Sequence, residues 1–249
     1  MPTPAEEPLE DIKEVAQEAV AAETTSRPKR EYRTVLFQVA LFSAVGAFAV
    51  LTFLAKSTPF FALDLEISRS LQAIDSPLFA ALMEWISWPG YLPQSVVISI
   101  FLALLIYGFG LQWEAVTALV AAFFPQLLNL LIKEIIRRPR PTVDLVDVFK
   151  LLDSYSFPSG HVMFYIAFFG FLWFLVFTLL KQSMIRALLL VLLGILIVFI
   201  GVSRIYLGHH WASDVLGASL LGGITLVLII QFYRWGKKRF FVRQPVAPQ

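Results

Sequence analysis

The 249 residues contain three histidines, His161, His209 and His210, and each lies beside groups that suit phosphate chemistry. They fall in or next to three short segments: Lys133–Pro141 (KEIIRRPRP), Pro158–His161 (PSGH) and Ser203–Asp214 (SRIYLGHHWASD). Hydrolysis of a phosphomonoester needs cations for an anion of charge near about −2, a nucleophile, and a proton for the leaving oxygen. Lys133, Arg140 and Arg204 supply cations, and the planar fork of arginine suits bidentate binding of phosphate. Pro158, Ser159 and Gly160 precede an apolar helical run, so Ser159 is placed as N-cap, with free backbone amides and the helix dipole facing an anion. His161 falls in that first turn, where it can reach the same anion and deliver a proton. His210 and Asp214 are four apart and share a helix face, so the carboxylate can accept from one ring nitrogen while the other stays basic and aimed. This is the orienter and base logic of a catalytic triad, with histidine itself as the attacking group.

Taken together, the segments resemble the three-part signature of the type 2 phosphatidic acid phosphatase (PAP2) superfamily, K-x6-R-P, P-S-G-H and S-R-x5-H-x3-D. Every position is filled, by Lys133, Arg140 and Pro141; by Pro158, Ser159, Gly160 and His161; and by Ser203, Arg204, His210 and Asp214. The resemblance implies that His210 is the nucleophile of a phosphohistidine intermediate, Asp214 its orienting partner, and His161 the general acid. It assigns phosphate binding to Lys133, Arg140, Ser159, the Gly160 amide and Arg204. It also implies catalysis without Mg²⁺ or any other cofactor, and the sequence offers no compact Asp/Glu/His cluster at metal-ligand spacing. The expected activity is hydrolysis of phosphatidic acid or a related lipid phosphomonoester. Phosphatidylglycerophosphate and undecaprenyl (polyprenyl) diphosphate are alternative substrates.

Two other classes fit less well. Vanadium haloperoxidases carry a similar pocket but are soluble. A non-catalytic lipid-binding protein would need cations and amides but no paired His210 and Asp214. His209 is off the signature spacing and reads as a neighbour of the site. Arg137 and Arg138 read as surface charge, with lipid head-group contact as the alternative. Asp144, Asp147, Lys150 and Asp153 read as solvated charges of an outer loop.

The elements that must position these groups are membrane spans. Hydrophobic residues make up 58% of the chain and charged ones 15%, too apolar for an ordinary soluble domain. Several apolar runs reach the roughly 20 residues that cross a hydrocarbon core. The expected fold is all-α, a polytopic bundle of six transmembrane helices at about Thr34–Leu54, Leu92–Phe109, Trp113–Ile132, Val162–Leu180, Arg186–Val202 and Asp214–Tyr233. An interfacial helix is expected between spans one and two, where Leu63, Ile67, Leu71, Ile74 and Leu78 recur at helical spacing with Asp64, Glu66 and Arg69 between them. Gln126, Asn129 and Lys133 lie one turn apart on one face of the third span, suited to interhelical hydrogen bonds or a site. In the last span Ala218 with Gly222, and Ser219 with Gly223, form two small-xxx-small pairs that suit close helix packing.

Residues 1–33 form a polar tail expected to be disordered, residues 34–235 the phosphatase domain, and residues 236–249 a basic tail. The N-terminal segment lacks the basic, apolar, small-residue order of a cleaved signal peptide. An even number of spans puts both ends on one side. Arg27, Lys29, Arg30, Arg33, Lys181, Arg186 and the basic tail mark that side as cytoplasmic. The site would then face the periplasm of a bacterial inner membrane. The expected partners are the lipid substrate and the bilayer. A net charge of +2 is too small to suggest nucleic acid, and the absence of cysteine excludes disulfides.

Overall fold

A computed structural model describes residues 27–241, so the expected disordered tail lies largely outside the described residues, as do positions 242–249. The chain divides into two units after Ser43, each considered by itself. The first contributes the leading part of helix α1 (Arg27–Ser57), whose side chains from Tyr32 to Ser43 are exposed apart from Leu41. The helix starts ahead of the expected Thr34, because lysine and arginine are good helix formers and extend it.

The second unit holds the remainder of α1, then α2 (Ala62–Gln72), α3 (Pro77–Ser87), α4 (Gln94–Gly108), α5 (Gln112–Ile136), α6 (Gly160–Leu179), α7 (Met184–Tyr206) and α8 (Ala212–Gly236). There is no strand among the described residues. Among the described residues, five helical segments are long and apolar enough to cross a bilayer: Tyr32–Ser57, Gln112–Ile136, Gly160–Leu179, Met184–Tyr206 and Ala212–Phe240. The sixth span is a broken one. With 15 residues, α4 reaches only about 22 Å, so it crosses only with α3 and its 3₁₀ turn, Trp88–Gly90, from which it is bent by 61°. Pro89 and Pro93 flank the break and remove the backbone donors that a continuous helix would need.

The connection expected to form one interfacial helix holds two. Ser76 caps α3, accepting a hydrogen bond from the Phe79 amide at 3.4 Å, and Pro77 occupies the first helical position. That is an N-terminal signature legible in the sequence. The face of α2 that turns inward is mixed, with Leu71 packing against Met83, Tyr206 and Leu207. Asp64 and Ser68 are buried, whereas Leu63 is exposed.

The central span is α6, with 61% of its apolar window buried against 11% for α7. Its Met163, Phe164, Phe168 and Phe171 form the middle of the core together with Ala118, Ala121 and Ala122 of α5, Ile200 of α7 and Ala218 of α8. In lipid such a core is held by close contact rather than by the hydrophobic effect, so small residues on the facing helices matter. A π-helical turn, Tyr165–Phe169, interrupts α6 one turn after the PSGH segment. Adjacent spans run in opposite directions, so the end of α5, the start of α6, the end of α7 and the start of α8 meet at one end of the bundle. At the opposite end Glu114 ion-pairs with Lys237 at 2.6 Å and accepts from the Tyr233 hydroxyl at 2.9 Å.

Only one of the two small-residue pairs in α8 works as a packing device. A Cβ on Gly222 would meet Ile166 at 3.2 Å and Ala218 is fully buried, but a Cβ on Gly223 would meet nothing within 4 Å. Gly217 is tighter still, because a Cβ there would lie 2.5 Å from the buried Phe157 ring that leads into PSGH. Gly217→Ala should therefore lower stability by about 1–3 kcal/mol through overpacking. Gly223→Ala should leave it unchanged or raise it by up to about 1 kcal/mol through helix propensity. Thermal unfolding of the two variants in detergent checks this difference in sign.

Candidate active site

Four helix ends converge on a cavity of about 390 Å³, lined by Lys133, Arg140, Gly160, His161, Arg204 and His210. The sequence motifs therefore meet in space. The cavity continues away from these groups along Ser95, Val96 and Ser99 of α4 and Ala122, Phe123 and Gln126 of α5. Its rim includes the exposed Leu92, Phe123 and Leu130, so a polar end is joined to an apolar groove.

Helix α5 places the first group. Lys133 is buried and its Nζ donates to the Tyr155 carbonyl at 2.5 Å. Gln126 and Asn129, on the same face, donate to the carbonyls of Gly160 at 3.3 Å and Pro158 at 2.8 Å, fixing the PSGH backbone against α5. The helix ends at Arg137, whose φ of 54° is left-handed and turns the chain outward. The following extended stretch alternates, with Arg137 and Pro139 exposed and Arg138 and Arg140 directed inward.

Arg140 is held by four contacts. Its Nε and Nη2 donate to the Ser154 carbonyl (2.7 Å) and hydroxyl (2.8 Å), and its Nη1 donates to the His209 carbonyl at 2.5 Å and lies 3.2 Å from His210 Nε2. Because a guanidinium can only donate, His210 Nε2 must accept, which puts the ring proton on Nδ1. Nδ1 lies 3.6 Å from Asp214 Oδ2, close enough to orient the ring but longer than a formed hydrogen bond. The carboxylate of Asp214 is itself fixed by the Trp211 amide at 2.9 Å, the Ser156 hydroxyl and Arg138 at 2.6 Å.

On the other wall Arg204 is completely buried, with Nη1 bound to the hydroxyls of Ser87 and Tyr91 at 3.1 Å each. Its Nε and Nη2 have no partner, and neither do Ser159 Oγ and His161 Nε2. Ser159 is the N-cap residue of α6, as expected, but its hydroxyl makes no capping bond. The broken span delimits this wall. The Tyr91 ring packs edge-on against His161 at 4.9 Å, and a Cβ on Gly90 would meet the His161 ring at 2.4 Å. None of Lys133, Arg140 and Arg204 forms an ion pair among the described residues, so the cavity concentrates positive charge.

Sequence reasoning misplaced one residue and missed several. Arg138, read as surface charge, is a buried ion-pair partner of Asp64 (3.0 Å) and Asp214 (2.6 Å). Arg137 is exposed and its neighbour Arg138 buried because Arg137 adopts a left-handed conformation, which helical spacing does not register. Asp64, Ser156, Ser87 and Tyr91 lie outside the motifs. Asp144, Asp147, Lys150 and Asp153 are exposed, as expected of solvated loop charges, while the loop's backbone is docked, since Gln72 bonds Asp147 through both backbone groups, at 2.7 and 3.0 Å, and Leu152 and Ser154 line the cavity. His209 is buried but its ring does not line the cavity.

Burial, reinforced by Arg140, Lys133, Arg204 and His161, holds His210 well below the usual histidine value, so its ring is neutral. Burial, with Arg204, Arg140 and Lys150 beside it, pushes His209 down to about 3. The unfolded chain takes up these protons near pH ~6.5 and the folded chain refuses them, so stability is full above that value and falls as pH drops below it. The unfolding midpoint should decline between about pH 7 and about pH 5, and His209→Gln should make the decline shallower. A wild-type midpoint that stays level over that range would contradict the assignment.

Comparison with known proteins agrees with this geometry. The PAP2 superfamily matches residues 114–238, a stretch that contains all three motifs. The chain is 30% identical over 172 residues to phosphatidylglycerophosphatase B of Bacillus subtilis, covering 68% of this chain and 82% of that protein. Among solved structures it resembles a transmembrane PAP2-type phosphatidylglycerolphosphate phosphatase from B. subtilis, with a TM-score of 0.70, 27% identity, and coverage of 80% of this chain and 98% of the other. It also resembles Aquifex aeolicus LpxE, with a TM-score of 0.54, 25% identity and coverage of 69% and 96%. Convergent cations and a neutral histidine in a membrane bundle, together with these relatives, establish that the chain belongs to the PAP2 superfamily and is a membrane lipid phosphatase.

Proposed function

We propose that this phosphatase hydrolyses a glycerophospholipid monoester, phosphatidylglycerophosphate or phosphatidic acid, through a phosphohistidine at His210. The observation that carries the reading is the convergence of Lys133, Arg140 and Arg204 on the cavity that His210 lines. Arg204, whose Nε and Nη2 are unpartnered, and Lys133 line the same cavity as His210, and Arg140 Nη1 lies 3.2 Å from His210 Nε2. The name of the B. subtilis relative favours phosphatidylglycerophosphate among the substrates. The apolar groove between α4 and α5 suits an acyl chain that stays in lipid while the head group enters sideways.

In this mechanism the phosphate dianion fills the positive cavity and favours the protonated form of His161 beside it. His210 Nε2 attacks phosphorus as the ester P–O bond breaks, and His161 gives its proton to the leaving lipid oxygen. The positive charge gained by the His210 ring is met by Asp214 on the Nδ1 side. Water then attacks phosphorus with His161 as base, the P–N bond breaks, and inorganic phosphate leaves with Nε2 restored. The charge is supplied by Lys133, Arg140 and Arg204, so no metal is required.

We further propose residues 34–235 as the catalytic domain, in a bacterial inner membrane with the site on the periplasmic face and both termini cytoplasmic. Lys181, Arg186 and Lys237 to Arg239, at the end opposite the cavity, support this orientation.

Phosphate release from detergent-dispersed phosphatidic acid, lysophosphatidic acid, phosphatidylglycerophosphate and undecaprenyl diphosphate, each with EDTA, tests substrate and metal independence together. Turnover fastest on phosphatidylglycerophosphate and unchanged by EDTA is expected. A clear preference for the diphosphate, or loss with EDTA, would overturn the reading. For the acid role, His161→Ala should lose about 10²- to 10⁴-fold on lipid substrates and much less on an activated aryl phosphate. Equal losses on both would count against it.

A further inference from the structure

Behind the catalytic groups lies a buried ionic network that the family signature leaves unspecified. Arg138, 1% exposed, reaches Asp64, 2% exposed, and Asp214, 0% exposed. Its Nη1 donates to Asp214 Oδ1 at 2.6 Å and to the Ser213 hydroxyl at 2.7 Å, and its Nη2 donates to Asp64 Oδ2 at 3.0 Å. Its Nε is shared between the carbonyls of Thr58 and Pro59, at 3.3 and 3.1 Å, and the Phe61 ring stacks against the guanidinium at 5.1 Å. Asp64 in turn accepts from the Ser213 amide at 2.8 Å, the Ser213 hydroxyl at 2.7 Å and the Phe61 amide at 3.0 Å. One carboxylate of α2 thus fixes the first turn of the catalytic helix α8 and the arginine that grips Asp214.

We infer that Asp64 and Arg138 are positioning residues for the hydrolysis, setting the place and charge of Asp214 and, through it, the aim of His210. This rests on the phosphohistidine reading above. Two carboxylates and one guanidinium leave a net charge of −1 next to His210 Nδ1. A ring that becomes positive when Nε2 takes the phosphoryl group is stabilised by that excess. Neutralising Asp64 would leave Arg138 to Asp214 alone and cancel it. Lysine at position 138 would keep a charge but could not span both carboxylates, Ser213 and two carbonyls at once. The connection between spans one and two is, on this account, part of the catalytic apparatus and not merely an interfacial cover.

The test measures kcat and KM of the full chain in detergent with phosphatidic acid for Asp64→Asn, Arg138→Lys, Asp214→Asn and the Asp64→Asn/Asp214→Asn double variant. Asp64→Asn and Arg138→Lys should each lower kcat by about 100-fold, the size of effect a misaimed catalytic group produces, with KM within about twofold. In the Asp214→Asn background, Asp64→Asn should cost less than about twofold more, because its effect passes through Asp214. A single variant with kcat near wild type, or losses that multiply in the double variant, overturns the inference. Asp214→Asn with wild-type kcat would instead sink the phosphohistidine reading itself. Should Asp64→Asn not fold, Asp64→Glu, which keeps the charge but displaces it, is held to the same criteria.

Discussion

Three cations without an ion-pair partner among the described residues, Lys133 and Arg204 buried and Arg140 half-buried, face one cavity, and the rest of the structure follows from holding them there. Removing each from water costs several kcal/mol unless negative charge meets it, and like charges in one cavity repel. Lys133, Arg140 and Arg204 are nevertheless kept in place by carbonyls and hydroxyls, from Tyr155, Ser154, His209, Ser87 and Tyr91. Those dipoles partly solvate the cations without neutralising them. The remaining deficit is one that a phosphate dianion fills, so binding energy is available where the reaction needs it.

The bundle exists to bring chain ends to this point. Helices α5 and α7 end there and α6 and α8 begin there; carbonyls of the connecting loops hold Lys133 and Arg140, while the start of α6 offers amides to an anion. The fourth wall is made by breaking a span. Gly90 and Tyr91, at the bend between α3 and α4, close on His161 and Arg204, where only a glycine leaves room for the His161 ring. Irregular backbone at membrane depth is tolerable where it lines a polar cavity, as it does here. Burial, reinforced by the positive charge of Arg140, Lys133 and Arg204, keeps His210 neutral, which a nitrogen nucleophile requires.

Much of this was legible in the residues because phosphate chemistry demands particular side chains at particular separations. The spacing of Lys133 to Arg140 and of His210 to Asp214 carried the site, and apolar run lengths carried the spans. What escaped was set by tertiary context. Arg138 turns inward because Arg137 adopts a left-handed conformation, and nothing in an RR pair distinguishes the exposed member from the buried one. Asp64 sits among apolar residues at helical spacing, which suggested an outward polar face, yet its partners are about 75 and 150 positions away in the chain, too far for any local pattern to show. The break in α3 and α4 was nearer to view, since Ser76-Pro77 and the two prolines around Gly90 mark it. The small pair Ser219 and Gly223 fits a packing motif in sequence, but a Cβ at Gly223 would meet open space, whereas Ala218 and Gly222 do pack.

The central claim is that His210 Nε2 forms a bond to phosphorus. Mixing the enzyme with a lipid whose phosphate is radiolabelled, quenching within a turnover and digesting the chain tests it directly. The account predicts label that survives alkali, is released by acid as a phosphoramidate is, and resides on the peptide carrying His210. Label on another residue, or wild-type turnover by His210→Ala, would contradict it.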